Sequence, residues 1–349
     1  MPENRHRTSL KDLARELGVS IATVSRALRN SPEIGKEMQA RVKELAQCMN
    51  YRPNPFAQSL RHEAPKIIGV VVPHLDTHYY AAVLAGIEAE AQQEGYSVIS
   101  ANSHEDFMAE ARAVDNFISL HVEGLIACLA QSTTDYSHFE EIARMGIPLV
   151  FFGRTCLTEQ FSSVTANGDE AAQLATQHLI DTGSRRIAFI GGPNHLDMVR
   201  RRKHGYLEAL RDNRIPIERE LVVCDKIDYQ VALDATVRLL ERPDRPDAIL
   251  AFNDIITFAA FTAIKQTGLR IPDDVALIGF TDDVHAAYVT PRLSAIEDQS
   301  HLMGATACRL LLRNIGGDRK IYKKIVPQQL VIRDTSAKRS SCPGPKEQK

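Results

Sequence analysis

Long apolar runs are what this 349-residue chain most plainly lacks: its longest, such as Ile67 to Val72 and Ile147 to Phe152, are far too short to cross a bilayer as a helix. The opening MPENRHRTSL has no basic start followed by an apolar core and a small-residue cleavage site, so cytoplasmic residence without membrane attachment is expected. Cysteine is sparse as well. Its six copies (Cys48, Cys128, Cys156, Cys224, Cys308 and Cys342) stand singly, without the close pairs of a zinc site or redox motif, which predicts reduced structural thiols and no metal or cofactor. Gly191-Gly-Pro193 is too short for a dinucleotide fingerprint and no Ser, His and Asp order stands out, so an enzyme is not expected. The C-terminal polar stretch, residues 336–349, lacks the leucine heptads of a tetramer-forming bundle and reads as a flexible tail.

What is present is an ordinary globular composition, 44% hydrophobic and 25% charged, at a length suited to two or three domains. The net charge of −2 hides an asymmetry. Residues 1–62 hold eleven Lys and Arg against six Asp and Glu, and the rest holds 31 against 38. A small basic head on an acidic body suits a polyanionic partner, although charge alone equally fits a solvated face.

The head has more than charge. Leu10, Leu13, Ala14 and Leu17 form a stripe at helical spacing behind Thr8 or Ser9 as cap, and Gly18 supplies a left-handed stop. Ser20 caps a second helix held down by Val24, Ala27 and Leu28, which leaves Ile21, Ala22, Ser25 and Arg26 facing outward. A third helix, about 35–49, carries Met38, Val42, Leu45 and Met49 to close a small core. Two helices joined by so short a turn cross steeply, the geometry of a helix-turn-helix. In that geometry Arg26 can make a forked contact to guanine, while Ile21 and Ala22 meet a thymine methyl. The bland alternative is a surface helix with an incidental isoleucine.

The run from Leu10 to Leu28, followed by Met49-Asn-Tyr-Arg-Pro-Asn54, resembles the DNA-binding domain of the lactose/galactose repressor family of bacterial transcription regulators. The resemblance implies an N-terminal all-α helix-turn-helix domain plus hinge helix, followed by a two-lobed α/β periplasmic-binding-protein-like domain with parallel sheets. It also implies a homodimer on a pseudo-palindromic double-stranded operator, controlled by a small effector, and places DNA contacts at Thr8, Ser20, Ile21, Ala22, Thr23, Ser25, Arg26, Asn30 and Tyr51. Asn54-Pro-Phe-Ala-Gln-Ser-Leu-Arg61 has a cap and a proline suited to a first turn, yet is too short to hold a helix in water alone. By resemblance it is the hinge helix, with Asn54 and Ala57 at the DNA and Leu60 as a wedge in the minor groove. A linker with a chance leucine is the other reading.

From Lys66 onward, apolar strands at 67–73, 96–101, 124–130, 148–152, 186–191, 248–252 and 275–280 alternate with helical spans such as 81–94, 171–181, 205–212 and 255–267, a rhythm of two parallel-sheet lobes. A ligand then sits in the cleft outside the carboxyl ends of the strands. Polar residues there include Asn102, Arg154 and Thr281 with Asp282. By resemblance Arg202 clamps the ligand, Asn253 and Asp254 bind it, and Tyr79 and Tyr80 stack on it, a set that suits a sugar or sugar phosphate. Gly153 stands where family members often carry Asp, and Thr281 where some place the Asp found here one residue later. Of Arg200-Arg-Arg-Lys203, three are expected to be solvated.

The expected organisation is a head at 1–52, hinge helix and linker at 53–64, and an effector and dimerisation body at 65–335. Lobe 1 then takes about 65–160 and 291–321, and lobe 2 about 161–290 and 322–335, with crossings near Phe161, Pro291 and Tyr322. The expected function is repression of carbohydrate-utilisation genes, with inducer and corepressor both open. The rival is a periplasmic-type sugar-binding protein, which would share the body but not the head.

Overall fold

The computed structural model describes residues 8–51, 65–281 and 284–337, and the chain divides into two compact units, Met1–Pro65 and Lys66–Lys349. In the first unit lie α1 (Leu10–Leu17), α2 (Ile21–Leu28) and α3 (Lys36–Cys48). Ser9 starts α1 with a reciprocal cap: its hydroxyl accepts the Asp12 N–H at 3.3 Å while the Asp12 carboxylate accepts the Ser9 N–H at 3.0 Å. Gly18 ends the helix at φ 66°, where a side chain would be strained. Ser20 then accepts the Thr23 N–H at 3.1 Å and opens α2. Leu13, Ala14, Val24, Ala27, Val42 and Ala46 bury a core among all three helices. The turn chemistry thus sets the crossing, and the small core holds it.

The second unit starts with β1 (Ile67–Val72), α4 (His78–Gln93), β2 (Ser97–Asn102), α5 (Phe107–Ser119), β3 (Gly124–Ala127), α6 (Ser137–Arg144), β4 (Leu149–Phe152) and β5 (Ser162–Ala166). It continues with α7 (Gly168–Asp181), β6 (Ile187–Gly191), α8 (Asp197–Asp212), β7 (Val222–Cys224), α9 (Tyr229–Leu240), β8 (Ala248–Ala251), α10 (Asp254–Gln266) and β9 (Ala276–Phe280). Last come β10 (Ser294–Glu297), α11 (Ser300–Ile315), β11 (Lys323–Val326) and β12 (Gln329–Val331). They build two six-stranded sheets, in the orders β11-β5-β4-β3-β1-β2 and β12-β10-β9-β8-β6-β7. Every pairing is parallel except β10 with β12. Strands such as β1, β3, β6 and β8 are buried along their whole length, because helices cover both sheet faces and no polar alternation is tolerated.

The chain passes from the first sheet to the second after Ala166, back after Glu297 and over again after Val326. Each crossing lies several residues beyond the expected Phe161, Pro291 and Tyr322, because β5, β10 and β11 (SSVTA, SAIE, KKIV) are short and partly polar and do not announce themselves as strands. The body also extends one residue further than expected. Thr335 and Ser336 are fully buried; the Thr335 hydroxyl accepts the Ser294 N–H at 2.8 Å, and the Ser336 and Ser294 hydroxyls lie 2.7 Å apart. Ser336 therefore belongs to the second lobe and not to a tail. Residues 338–349 lie outside the described ones.

Two close helix contacts frame the body. A Cβ on Gly86 would stand 2.1 Å from the His301 carbonyl, which fixes α4 on α11. A Cβ on Gly205 would stand 1.9 Å from the Asp169 carbonyl, which fixes α8 on α7 and so sets where Arg202, one turn earlier, comes to lie.

Candidate functional site

The outward face of α2 carries Ile21, 44% exposed, with Ala22 and Arg26 also exposed. Arg26 has its Nη1 3.3 Å from Glu33 Oε2, both side chains solvated, so the pairing is weak and the guanidinium is available. Ser25 is not on this face. It is buried, and its hydroxyl accepts Nη2 of Arg29 at 2.9 Å, because the stripe of Val24 and Ala27 turns it toward α2's inner flank. Thr8 donates to the Met49 carbonyl at 2.9 Å, Ser20 and Thr23 share a hydrogen bond at 2.9 Å, and Asn30 takes a left-handed φ of 58° with its side chain held by Lys43. Tyr51 is half-buried against the core, and burial pushes its phenol pKa up. Asn54, Ala57 and Leu60 lie outside the described residues.

In the body, the carboxyl ends of both sheets meet at one cavity of about 60 Å³, room for a few waters. The first lobe contributes His74, Thr77, Tyr79, Tyr80, Glu105, Cys128 and Arg154; the second contributes Met198, Arg202, Phe252, Asn253, Asp254, Ile255 and Phe280, and Asp298 stands at the crossing between them. Six residues expected from the sequence are thus brought together. Asn102 and Thr281 are not among the lining residues: Asn102 Oδ1 accepts the His104 N–H at 2.9 Å, and Thr281 is buried with its N–H on the Ile296 carbonyl at 3.0 Å. Asp282 lies outside the described residues.

Arg202 dominates the cavity. Alone of the run from Arg200 to Lys203 it is buried, and its guanidinium lies 3.8 Å from the Phe280 ring centroid and 4.9 Å from that of Phe252. Nη1 donates to the Phe252 carbonyl and Nη2 stands 3.7 Å from Asp298 Oδ2. Burial lowers the Arg202 pKa and raises that of Asp298, and each is opposed by the other's charge. Nε of Arg202 has no hydrogen-bond partner among the described residues, nor has Thr77 Oγ1 or Glu105 Oε1. These three unpartnered buried atoms belong to residues that line one cavity, a set that suits a ligand offering both donors and acceptors, since each costs about 1–3 kcal/mol unmet.

Glu105, Phe252, Phe280 and Asp298 were missed by sequence reading. Phe252 and Phe280 are the last residues of predicted strands, where an aromatic carries no signal of a site; Glu105, at φ 58°, and Asp298 follow elements whose ends carried no motif. Asn253 does double work, its Oδ1 accepting the Ile256 N–H at 3.1 Å to cap α10. Burial pushes the Cys128 thiol up to about 11, so the cavity holds no reactive thiolate. Among the described residues no group of three or more His, Cys, Asp and Glu could hold a metal, and no helix is long and apolar enough to cross a membrane.

Residues 9–54 match the family described as bacterial regulatory proteins, lacI family, and residues 176–336 match a periplasmic binding protein-like domain. Catabolite control protein A of Priestia megaterium is 31% identical over 310 residues, 87% of this chain and 92% of its own. The ribose operon repressor of Bacillus subtilis is 32% identical over 304 residues, 87% and 90% of the two chains. The structure of the lac repressor dimer bound to operator and the anti-inducer ONPF superposes with a TM-score of 0.82 at 26% identity, covering 95% of this chain and 99% of that one. The helix-turn-helix head, the paired parallel sheets and these near full-length likenesses agree: the chain is a non-enzymatic transcriptional regulator and belongs to the lacI family of bacterial regulatory proteins.

Proposed function

We propose that this cytoplasmic protein binds a pseudo-palindromic operator as a homodimer and represses carbohydrate-utilisation genes under the control of a sugar or sugar phosphate held in the interlobe cleft. The observation that carries the effector half is the set of orphaned buried atoms on Thr77, Glu105 and Arg202, which a polyhydroxylated ligand satisfies together. Arg202 clamps ring or hydroxyl oxygens with Nε, Asn253 and Asp254 bind neighbouring hydroxyls, Arg154 presents a second cation, and Tyr79 and Tyr80 cover an apolar face. In the head, Arg26 reads guanine and Ile21 with Ala22 meets thymine methyls, while Thr8, Ser20, Thr23, Asn30 and Tyr51 hold or approach the phosphate backbone. Asn54, Ala57 and Leu60 serve the minor groove, with Leu60 as the wedge. Effector and operator affinities are linked through the angle between the lobes, an inducer favouring release and a corepressor favouring grip.

A gel-shift series with a palindromic operator, alongside a thermal-shift screen of sugars and sugar phosphates, tests both halves. A native-state ligand raises the melting temperature and shifts operator affinity. Absence of sequence-specific retardation would overturn the regulator's proposed operator mode, and a blank screen the sugar effector.

A further inference from the structure

Gln131 lies just beyond β3 in the first lobe, yet its side chain is bonded to the second. Its amide oxygen accepts the Ile227 N–H at 2.9 Å and its amide nitrogen reaches the Ile227 carbonyl at 3.4 Å. Its own backbone carbonyl meets Nε2 of His195, also in the second lobe, at 2.7 Å. Gln131 and Ile227 are both buried, so the pairing is shielded from water and each bond matters more than a surface one.

The same residue is tied to the cleft. Glu105 Oε2 accepts the Gln131 N–H at 2.5 Å and Nη1 of Arg154 at 2.6 Å. Its other oxygen, Oε1, accepts no hydrogen bond among the described residues; the nearest ion-pair partner is Nε2 of His74, a cavity-lining residue, at 3.6 Å.

We propose that Gln131 is a clasp that holds the two lobes closed, and that Glu105 couples the clasp to the cleft, one carboxylate oxygen gripping Gln131 while the other is offered to the ligand. A hydroxyl donated to Oε1 draws the carboxylate toward the cavity and changes its hold on Gln131, so occupancy is passed to a contact that exists only when the lobes are together. The coupling rests on the cleft being the effector site; the clasp does not.

Hydrogen exchange on the full-length, ligand-free protein tests both parts. Gln131→Leu removes both amide bonds at similar size, and the backbone amides of 225–229 are then expected to exchange about tenfold faster, the value of roughly one buried hydrogen bond. Strands β6 and β8 of the same lobe should keep their wild-type protection. Unchanged exchange at 225–229, or a rise spread evenly over the second lobe, overturns the clasp. Glu105→Ala should raise exchange at the same 225–229 segment from across the cleft, and Glu105→Gln, which keeps an acceptor for the Gln131 N–H, should restore most of the protection. If Glu105→Ala speeds exchange only within the first lobe, the coupling falls and the clasp stands. Because no ligand enters the measurement, a blank sugar screen leaves these outcomes readable.

Discussion

Arg202 shows what a single side chain can be made to carry. Its stem is buried, its guanidinium is flanked by two phenylalanine rings, and one donor is left without a partner. Arg202→Ala is expected to leave operator affinity intact in the absence of effector and to abolish the response to whichever sugar gives the largest thermal shift; an undiminished response in the gel-shift series would place the ligand elsewhere. Arg26 is the opposite case, exposed and loosely paired. Arg26→Ala should weaken specific binding by about 1–3 kcal/mol and relax selection at one base pair per half-site. Competition gels with operators altered at each position decide it, since equal weakening on all sequences would make Arg26 a phosphate contact. At this scale helical spacing made the exposure of Arg26 legible, while Arg202 was singled out through the family resemblance and its burial came only with the structure. The spacing misled for Ser25, whose burial depends on how α2 rolls on its neighbours.

At the scale of elements, the caps do the local work. Ser20 is the N-cap of α2, so Ser20→Ala should cost about 1 kcal/mol, and chemical denaturation of the full chain, followed by a probe in the head, measures it. Gly205 lets α8 lie against the α7 backbone. Gly205→Ala forces the two helices apart at a cost of about 1–3 kcal/mol and shifts Arg202, so effector affinity should fall together with the melting temperature. The long apolar strands and the amphipathic helices were legible because a doubly covered sheet demands uninterrupted hydrophobicity. The short strands were not: β11, with two lysines facing solvent, becomes a strand only because β5 offers its edge for pairing.

For the whole molecule, the C-terminal strand and its anchor close the second lobe. His178 on α7 pairs with the Ser336 hydroxyl at 3.0 Å, and burial lowers its pKa below the ordinary 6.5. The unfolded chain therefore takes up this proton first as pH falls. The stability that neutral His178 contributes is complete above about pH 6.5 and is lost as pH drops through the depressed folded value. Melting temperatures at about pH 7.5 and 5.5 should accordingly fall further for the wild type than for His178→Gln; equal slopes would show that the histidine does not titrate in this window.

The sequence by itself determined the head and the two-lobed parallel body, because caps, left-handed glycines and apolar periodicity act locally and leave their marks within a few residues, whereas Arg202, Asn253 and Asp254 were singled out through the family resemblance. Only the tertiary structure decided where the chain crosses between lobes, that Ser336 belongs to the core, that Glu105 and Asp298 face the same cavity as the arginines, and that Gln131 reaches Ile227. Those features join residues far apart in sequence, and the free energy of a polar group buried between two lobes depends on which partner arrives from the other side, which no local pattern records.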